Sequence, residues 1–92
     1  MISPDLIRML VCPETRRPLA AADAELVARI NAAVRTGRLR DRSGQYLSRP
    51  IEAGLLRDDG EVVYPVVDGI PNLLVDRAIE RSALDRAAAE AP

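Results

Sequence analysis

The sequence contains no histidine, no lysine, no tryptophan and no phenylalanine, and Cys12 is its one cysteine. A structural zinc site needs about four Cys or His ligands, so this chain cannot supply one by itself. A single cysteine also excludes an internal disulfide. Without histidine, the Ser-His-Asp and Cys-His sets of nucleophilic enzymes are missing as well. We therefore expect no catalytic residue, no metal ligand set and no cofactor.

The remaining composition is poor in aromatic residues and close to neutral. Tyr46 and Tyr64 are the only aromatics, so the core has to be built from Leu, Ile, Val and Ala. The formal net charge of −1 argues against a generic nucleic-acid binder. All 13 basic residues are arginine; 8 lie in residues 1–46 beside 5 acidic residues, and 5 lie in residues 47–92 beside 9. The chain is thus mildly basic and then mildly acidic.

Nothing in the sequence predicts export or a membrane span. The first ten residues, MISPDLIRML, are too short and too charged for a signal peptide. No stretch approaches the ~18 apolar residues that a membrane-spanning helix needs. We expect one soluble cytoplasmic domain, residues 1–92, in which 1–21 and 50–76 form a sheet, 22–49 are a helical insertion, and 77–92 are a helical or frayed tail.

Three helices are predicted. The triplet SPD at 3–5 suits the cap and first turn of a short helix that ends before Pro13, and an extended piece follows at Pro18–Ala21. The run DAELVARINAAVRTG predicts a longer helix over Ala24–Thr36, with an aspartate before it and a glycine after it as caps. The Ala-rich end predicts a third helix that begins at Asp76 as its cap. The apolar positions that share one face of the second helix are Leu26, Ile30, Ala33 and Val34.

Three short strands are predicted between the last two helices. Asp59-Gly60 lies between two apolar runs and predicts a tight hairpin that joins strands at Leu55–Arg57 and Glu61–Val66. Asp68-Gly69 marks a second turn. It leads into a third strand, Ile70–Val75, whose proline indicates the edge of the sheet.

Cys12 is predicted to be structural. A reactive thiol needs its pKa lowered, usually by a histidine or a helix N-terminus. Cys12 instead follows a helix, near the negative end where a thiolate is disfavoured. We interpret it as a small buried apolar residue, as free cysteines commonly are.

The segment RTGRLRDR could contact phosphate, because it carries four arginines. It also contains Asp41, no aromatic residue interleaves it, and the net charge of the chain is −1. A solvated loop is therefore favoured over a nucleic-acid site. The four arginines are Arg35, Arg38, Arg40 and Arg42.

Two stretches at opposite ends of the chain resemble a known family. SPDLIRMLVCPETRRPL resembles the family's opening LL-x-x-L-x-CP-x-C-x-x-PL, and VVYPVVDGIPNLLVDRA resembles its signature YPI-x-DGIP-x-LL. The family comprises the small zinc-ribbon-like activator subunits of tRNA, ribosomal-RNA and release-factor methyltransferases, with short bacterial relatives. The resemblance covers about a third of the chain. It implies an α+β fold, a small antiparallel zinc-ribbon-like sheet with an inserted helix and a C-terminal helix.

The chain departs from this family at the zinc ligands. Thr15 stands where the second cysteine of the first pair is expected, and Arg57 and Gly60 stand at the two cysteines of the second pair. The resemblance therefore implies a metal-free version of the fold. In that version an Asp-Gly turn replaces the second metal knuckle.

The family also implies a function and a partner. Its members carry no catalytic residue and activate class I methyltransferases that use S-adenosylmethionine. The resemblance implies the same hetero-dimer here, formed by strand addition to an apolar edge strand. Alternatively, that strand completes the small core, or the chain is a stand-alone RNA- or nucleic-acid-binding module that uses residues 35–42. The predicted partner-binding residues are Ile70, Pro71, Asn72, Leu73, Leu74 and Val75.

Overall fold

The computed structural model describes residues 4–90. The predictions for Ser3 as a helix cap and for the last two residues of the tail therefore concern positions outside the described residues. The elements in chain order are α1 (Pro4–Met9), β1 (Leu19–Ala21), α2 (Ala24–Arg35), β2 (Ala53–Arg57), β3 (Val62–Val67), β4 (Ile70–Pro71), a 3₁₀ turn (Val75–Arg77), β5 (Ile79–Glu80) and α3 (Arg81–Glu90).

The strands form one antiparallel sheet around β3. On one side β3 pairs with β2, which in turn pairs with β1. On the other side β3 pairs with β4 at one end and with β5 at the other. The predicted fold class, α+β with a small antiparallel sheet, an inserted helix and a C-terminal helix, is confirmed.

The two Asp-Gly turns differ in geometry. At Asp68-Gly69 both residues have positive φ, 54° and 73°, and Val67 pairs with Ile70, which is a two-residue type I′ hairpin. The predicted tight hairpin at Asp59-Gly60 is instead a wider loop over residues 58–61, between paired strands. Within it only the glycine has positive φ, 76°.

The predicted third strand, Ile70–Val75, is wrong beyond Pro71. The backbone N–H of Asn72 still donates to the carbonyl of Pro65 on β3, at 2.9 Å. Proline has no N–H to return, so the ladder cannot continue at this point. The chain leaves β3, passes through the 3₁₀ turn and rejoins it at Ile79–Glu80.

Helix α2 follows its prediction closely. Asp23 accepts a hydrogen bond from the N–H of Leu26 at 2.8 Å, and the helix ends at Arg35, just before Gly37 with a φ of 71°. The side chain of Asn31 donates to the carbonyl of Ile51 at 2.9 Å and accepts from its N–H at 2.7 Å. This double hydrogen bond ties the helix to the segment that enters β2. The predicted apolar face, Leu26, Ile30, Ala33 and Val34, is buried.

The last helix begins later than predicted. Asp76 lies inside the 3₁₀ turn and caps no α-helix, because β5 intervenes before α3 starts at Arg81. Along α3, Leu84 and Ala87 are 2% and 3% exposed and join the core that α2 covers. The C-terminal segment therefore packs on the domain as far as Ala87.

Buried side chains form two clusters on opposite faces of the sheet. The strand β3 contributes Val63 to one cluster and Val62, Tyr64 and Val66 to the other, as alternation along a strand requires. The helical core contains Leu26, Ile30, Ala33, Val34, Leu39, Ile51, Val63, Ile79, Leu84 and Ala87. The Cys12 core contains Cys12, Leu19, Leu55, Val62, Tyr64, Val66 and Ala78.

Candidate functional sites

The predicted partner-binding residues form an irregular outer edge beside β3, which we call the outer-edge segment, residues 70–75. Ile70 and Leu74 are 69% and 63% exposed, although both are large and apolar. Leu73 points the other way and packs against the Cys12 core. Pro71, Asn72 and Val75 are half-buried. In this segment the side chains of Ile70 and Leu74 therefore face outward, and the side chain of Leu73 fixes the segment to the core.

The arginine run is divided by the fold. Arg35 lies on the last turn of α2, where it donates to the carbonyl of Asn31. The other three arginines line one cleft of about 370 Å³ together with Arg86 of α3. We call this the arginine cleft, and its lining residues are Arg38, Arg40, Asp41, Arg42, Tyr46, Glu80, Ala83, Arg86 and Ala87.

The guanidinium groups of the arginine cleft are not equally available. Arg42 is held by Glu14, at 2.9 Å, and lies 4.0 Å from Glu80. Arg40 lies over the ring of Tyr46, 4.5 Å from its centroid, and donates to its hydroxyl. Within the described part of the chain, Arg38 and Arg86 have no ion pair or hydrogen bond of their side chains.

Cys12 is fully buried, as predicted, but it is not an apolar residue in an apolar pocket. Its Sγ lies 2.9 Å from Oη of Tyr64. Burial raises the pKa of the thiol, but hydrogen bonds from Thr15, Tyr64 and the backbone of residues 14 and 15 outweigh it and lower the pKa to about 6. This lowered pKa runs against the expectation that a thiolate is disfavoured after α1, and its cause is hydrogen bonding that outweighs burial.

Arg57 completes the surroundings of Cys12. Its guanidinium is 11% exposed and is bound by Asp59 at 2.8 Å and Glu14 at 3.5 Å. The hydrogen bond with Asp59 raises the pKa of Arg57, burial opposes this, and a further hydrogen bond with Cys12 raises it again. Burial and the contact with Cys12 raise the pKa of Tyr64 as well, so Tyr64 stays protonated and can donate to the sulfur.

The resemblance placed Cys12, Thr15 and Arg57 at the ligand positions of one zinc site, but it did not indicate Tyr64 as the hydrogen-bond partner of Cys12. Two residues of the arginine cleft were not predicted. Arg86 is distant in sequence from the other arginines of the cleft, and Tyr46 is separated from them by a loop. One local signal was available: in RLRDR the arginines alternate with Leu39 and Asp41, the period of an extended chain.

The described residues contain no group of three or more His, Cys, Asp or Glu side chains that could hold a metal ion. Among those same residues, no helix has both the length and the apolar character to cross a bilayer.

Comparison with known proteins adds a structural likeness. No protein-family model matches the chain, and no curated protein matches it. The solution NMR structure of XF2673 from Xylella fastidiosa is similar, with a TM-score of 0.72 and 25% sequence identity, covering 90% of this chain and 86% of that one. The likeness concerns the fold, since that protein carries no named activity.

Proposed function

We propose that this chain is a non-catalytic partner subunit that binds, stabilises and activates a class I methyltransferase dependent on S-adenosylmethionine, in the cytoplasm. The observation that carries the proposal is the outer-edge segment. Its two most exposed apolar side chains, Ile70 and Leu74, belong to the DGIPNLL stretch through which the chain resembles methyltransferase activators.

The form of this edge favours side-chain docking over long strand addition. Only Ile70–Pro71 is a strand, so few main-chain groups are aligned for pairing with another sheet. Ile70 and Leu74 instead offer apolar area on either side of the half-buried Asn72, whose side chain accepts a hydrogen bond from the N–H of Leu74. Burying two such side chains contributes about 1.5–3 kcal/mol each to association.

The surroundings of Cys12 support the proposal independently. Thr15 lowers the pKa of the Cys12 thiol, and Cys12 in turn raises the pKa of Arg57, so three of the positions at which the activator family holds zinc interact with one another. A guanidinium then supplies beside the thiolate the positive charge that a metal would supply. The turn keeps its shape through hydrogen bonds within the chain, including the N–H of Arg16 to the carbonyl of Cys12 at 2.7 Å.

The test is capture of a methyltransferase by the tagged full chain from its native cells, with identification by mass spectrometry. The captured enzyme is then produced alone and with the chain, and methyl transfer from S-adenosylmethionine is measured. We expect the chain to raise both the activity and the melting temperature of the enzyme. The proposal fails if the complexes contain no methyltransferase, or if the enzyme is equally active and stable alone.

Leu74→Asp and Leu73→Asp then test the surface. Leu74→Asp should leave the circular dichroism and melting of the isolated chain nearly unchanged, because Leu74 is 63% exposed, and it should abolish co-purification of the enzyme. Leu73→Asp should unfold the domain, because it places a carboxylate against the Cys12 core. Met9→Asp is the matched control, since Met9 is 78% exposed outside the outer-edge segment. If Leu74→Asp and Met9→Asp bind alike, the docking surface lies elsewhere.

A further inference from the structure

Residues 38–40 precede a turn at residues 42 and 43, and Arg40 pairs with Tyr46 in an isolated antiparallel bridge. Leu39 is fully buried in the helical core. The side chain of Asp41 also points inward, where it accepts hydrogen bonds from the N–H groups of Ser43 and Gln45 at 2.9 and 3.2 Å. It pairs with the guanidinium of Arg77 at 3.3 Å. Arg38 and Arg40 therefore point outward together. An extended stretch of this kind places alternate side chains about 6.7 Å apart. The result is a row of cations and not a single point of charge.

Helix α3 adds a further cation to the arginine cleft, and the carboxylates of the lining are already engaged by other arginines. Arg86 comes from α3, within the same cleft as Arg38. Among the described residues of the lining, the carboxylates are Asp41 and Glu80, and Glu80 lies 4.0 Å from Arg42, which is already held by Glu14. Asp41 is engaged by Arg77. Arg38 and Arg86 thus keep their charge for a ligand, although the chain as a whole has a net charge of −1.

A stacking surface stands beside these free cations. Tyr46 is 54% exposed, and Arg40 lies over its ring with 4.5 Å from guanidinium carbon to centroid. Nucleic-acid bases stack on aromatic rings and on arginine planes, and they do so with little dependence on sequence. The same cleft therefore offers groups for phosphates and a platform for a base.

We infer that the arginine cleft binds a single strand of nucleic acid, with Arg38 and Arg86 on its phosphates and a base stacked on the Arg40–Tyr46 pair. Two arginines without partners among the described residues, beside a stacking pair, offer more contacts than one phosphate group can use. A cleft of about 370 Å³ accommodates part of a flexible strand. The arginine cleft shares no lining residue with the outer-edge segment. Binding of the strand is measured on the isolated chain, so this test does not depend on a methyltransferase.

The experiment is fluorescence anisotropy of a labelled 12-nucleotide single-stranded RNA, and of its DNA version, titrated with the full chain between 50 and 200 mM salt. Two phosphate contacts predict that the double variant Arg38→Ala/Arg86→Ala reduces the slope of log affinity against log salt by about 1.4, at about 0.7 for each contact. Its affinity at 50 mM salt should fall at least about tenfold.

The matched control is Arg35→Ala/Arg81→Ala. It also removes one arginine near the end of α2 and one from α3, but neither residue lines the arginine cleft. This control should bind within about twofold of the wild-type chain, since it changes only the net charge. Equal losses in the two double variants would show diffuse attraction and overturn the site, as would the absence of an anisotropy change for the wild-type chain.

Tyr46 tests the stacking. Tyr46→Phe keeps the ring and should retain binding, whereas Tyr46→Leu should weaken it at least about fivefold with an unchanged salt slope. AMP is the competitor that separates a strand from a free nucleotide. If AMP displaces the labelled strand as well as an unlabelled strand does at equal phosphate concentration, the strand assignment is wrong.

Discussion

The two faces of the sheet are covered by cores of different chemistry, although one strand, β3, contributes side chains to both. The helical core is aliphatic throughout, and its members come from α2, α3, the strands β3 and β5, and the loop between α2 and β2. The Cys12 core contains a thiol and a phenol in contact, Cys12 and Tyr64, with the guanidinium of Arg57 beside them. The first core is stabilised by apolar burial, and the second combines burial with hydrogen bonds and charge.

The two cores differ in whether they contain a titratable group. The helical core resembles that of any small α+β domain and needs no special chemistry. The Cys12 core contains a thiol whose pKa is lowered to about 6 by hydrogen bonds, so its charge changes with pH. The two cores should therefore respond differently to pH and to the removal of side chains.

The largest effect is expected in the helical core. Ile30 is fully buried, so Ile30→Ala should lower the free energy of unfolding by about 2–5 kcal/mol. Because nothing in this core titrates, the loss should be the same at pH 8 and pH 5, as measured by urea unfolding at both. Ile70→Ala, at a position 69% exposed, should stay within about 0.5 kcal/mol of the wild-type chain. If the loss of unfolding free energy caused by Ile30→Ala depended on pH, the two cores would not differ in the way described above.

The next effect is the pH dependence of the Cys12 core. The thiol pKa is about 6 in the fold against 9.0 without it, so the folded chain binds fewer protons between these values. Stability from this group is then complete above pH 9 and is lost as the pH falls through about 6. Between pH 8 and pH 5 the free energy of unfolding should fall by roughly 3 kcal/mol.

Cys12→Ser isolates this contribution, because serine keeps the size and hydrogen-bonding capacity of the side chain but does not ionise in that range. Urea unfolding of the two proteins between pH 5 and 9 should give curves that converge at low pH and separate as the pH rises. Parallel curves would mean that the thiolate adds nothing to stability, and that Cys12 behaves as the neutral residue predicted from the sequence.

A smaller effect should follow from overfilling the helical core. A Cβ on Gly54 would lie 2.8 Å from Cγ1 of Val63 and 3.3 Å from Cβ of Ala22, so one of these neighbours must move. Gly54→Ala should therefore destabilise the domain by about 1–3 kcal/mol. Gly37→Ala is a contrasting variant, because a Cβ there meets nothing within 4 Å and only its φ of 71° resists the change. Calorimetric melting of both separates crowding from backbone strain, and an unchanged melting point for Gly54→Ala would contradict the close packing.

The parts that the sequence predicted well are those governed by neighbours in the chain. Helix α2 follows from the period of its apolar residues and from the Asp23 cap, both of which act within a few residues. The Asp68-Gly69 turn follows from the tolerance of these residues for positive φ. The same local reasoning failed for Ile70–Val75, because the strand ends where a proline on another strand, Pro65, has no N–H to donate.

The candidate sites divide in the same way. The sequence by itself determined which residues were available: one cysteine, no histidine, arginines alternating through RLRDR, and an apolar DGIPNLL stretch. Only the tertiary structure decided that Tyr64 lies 2.9 Å from the sulfur of Cys12 and that Arg86 lines the same cleft as Arg38. The physical reason is the sequence separation of the groups that interact. Turns and helix caps depend on contacts a few residues apart, whereas the pKa of a thiol and the charge of a cleft depend on groups brought together by the packing of the whole chain.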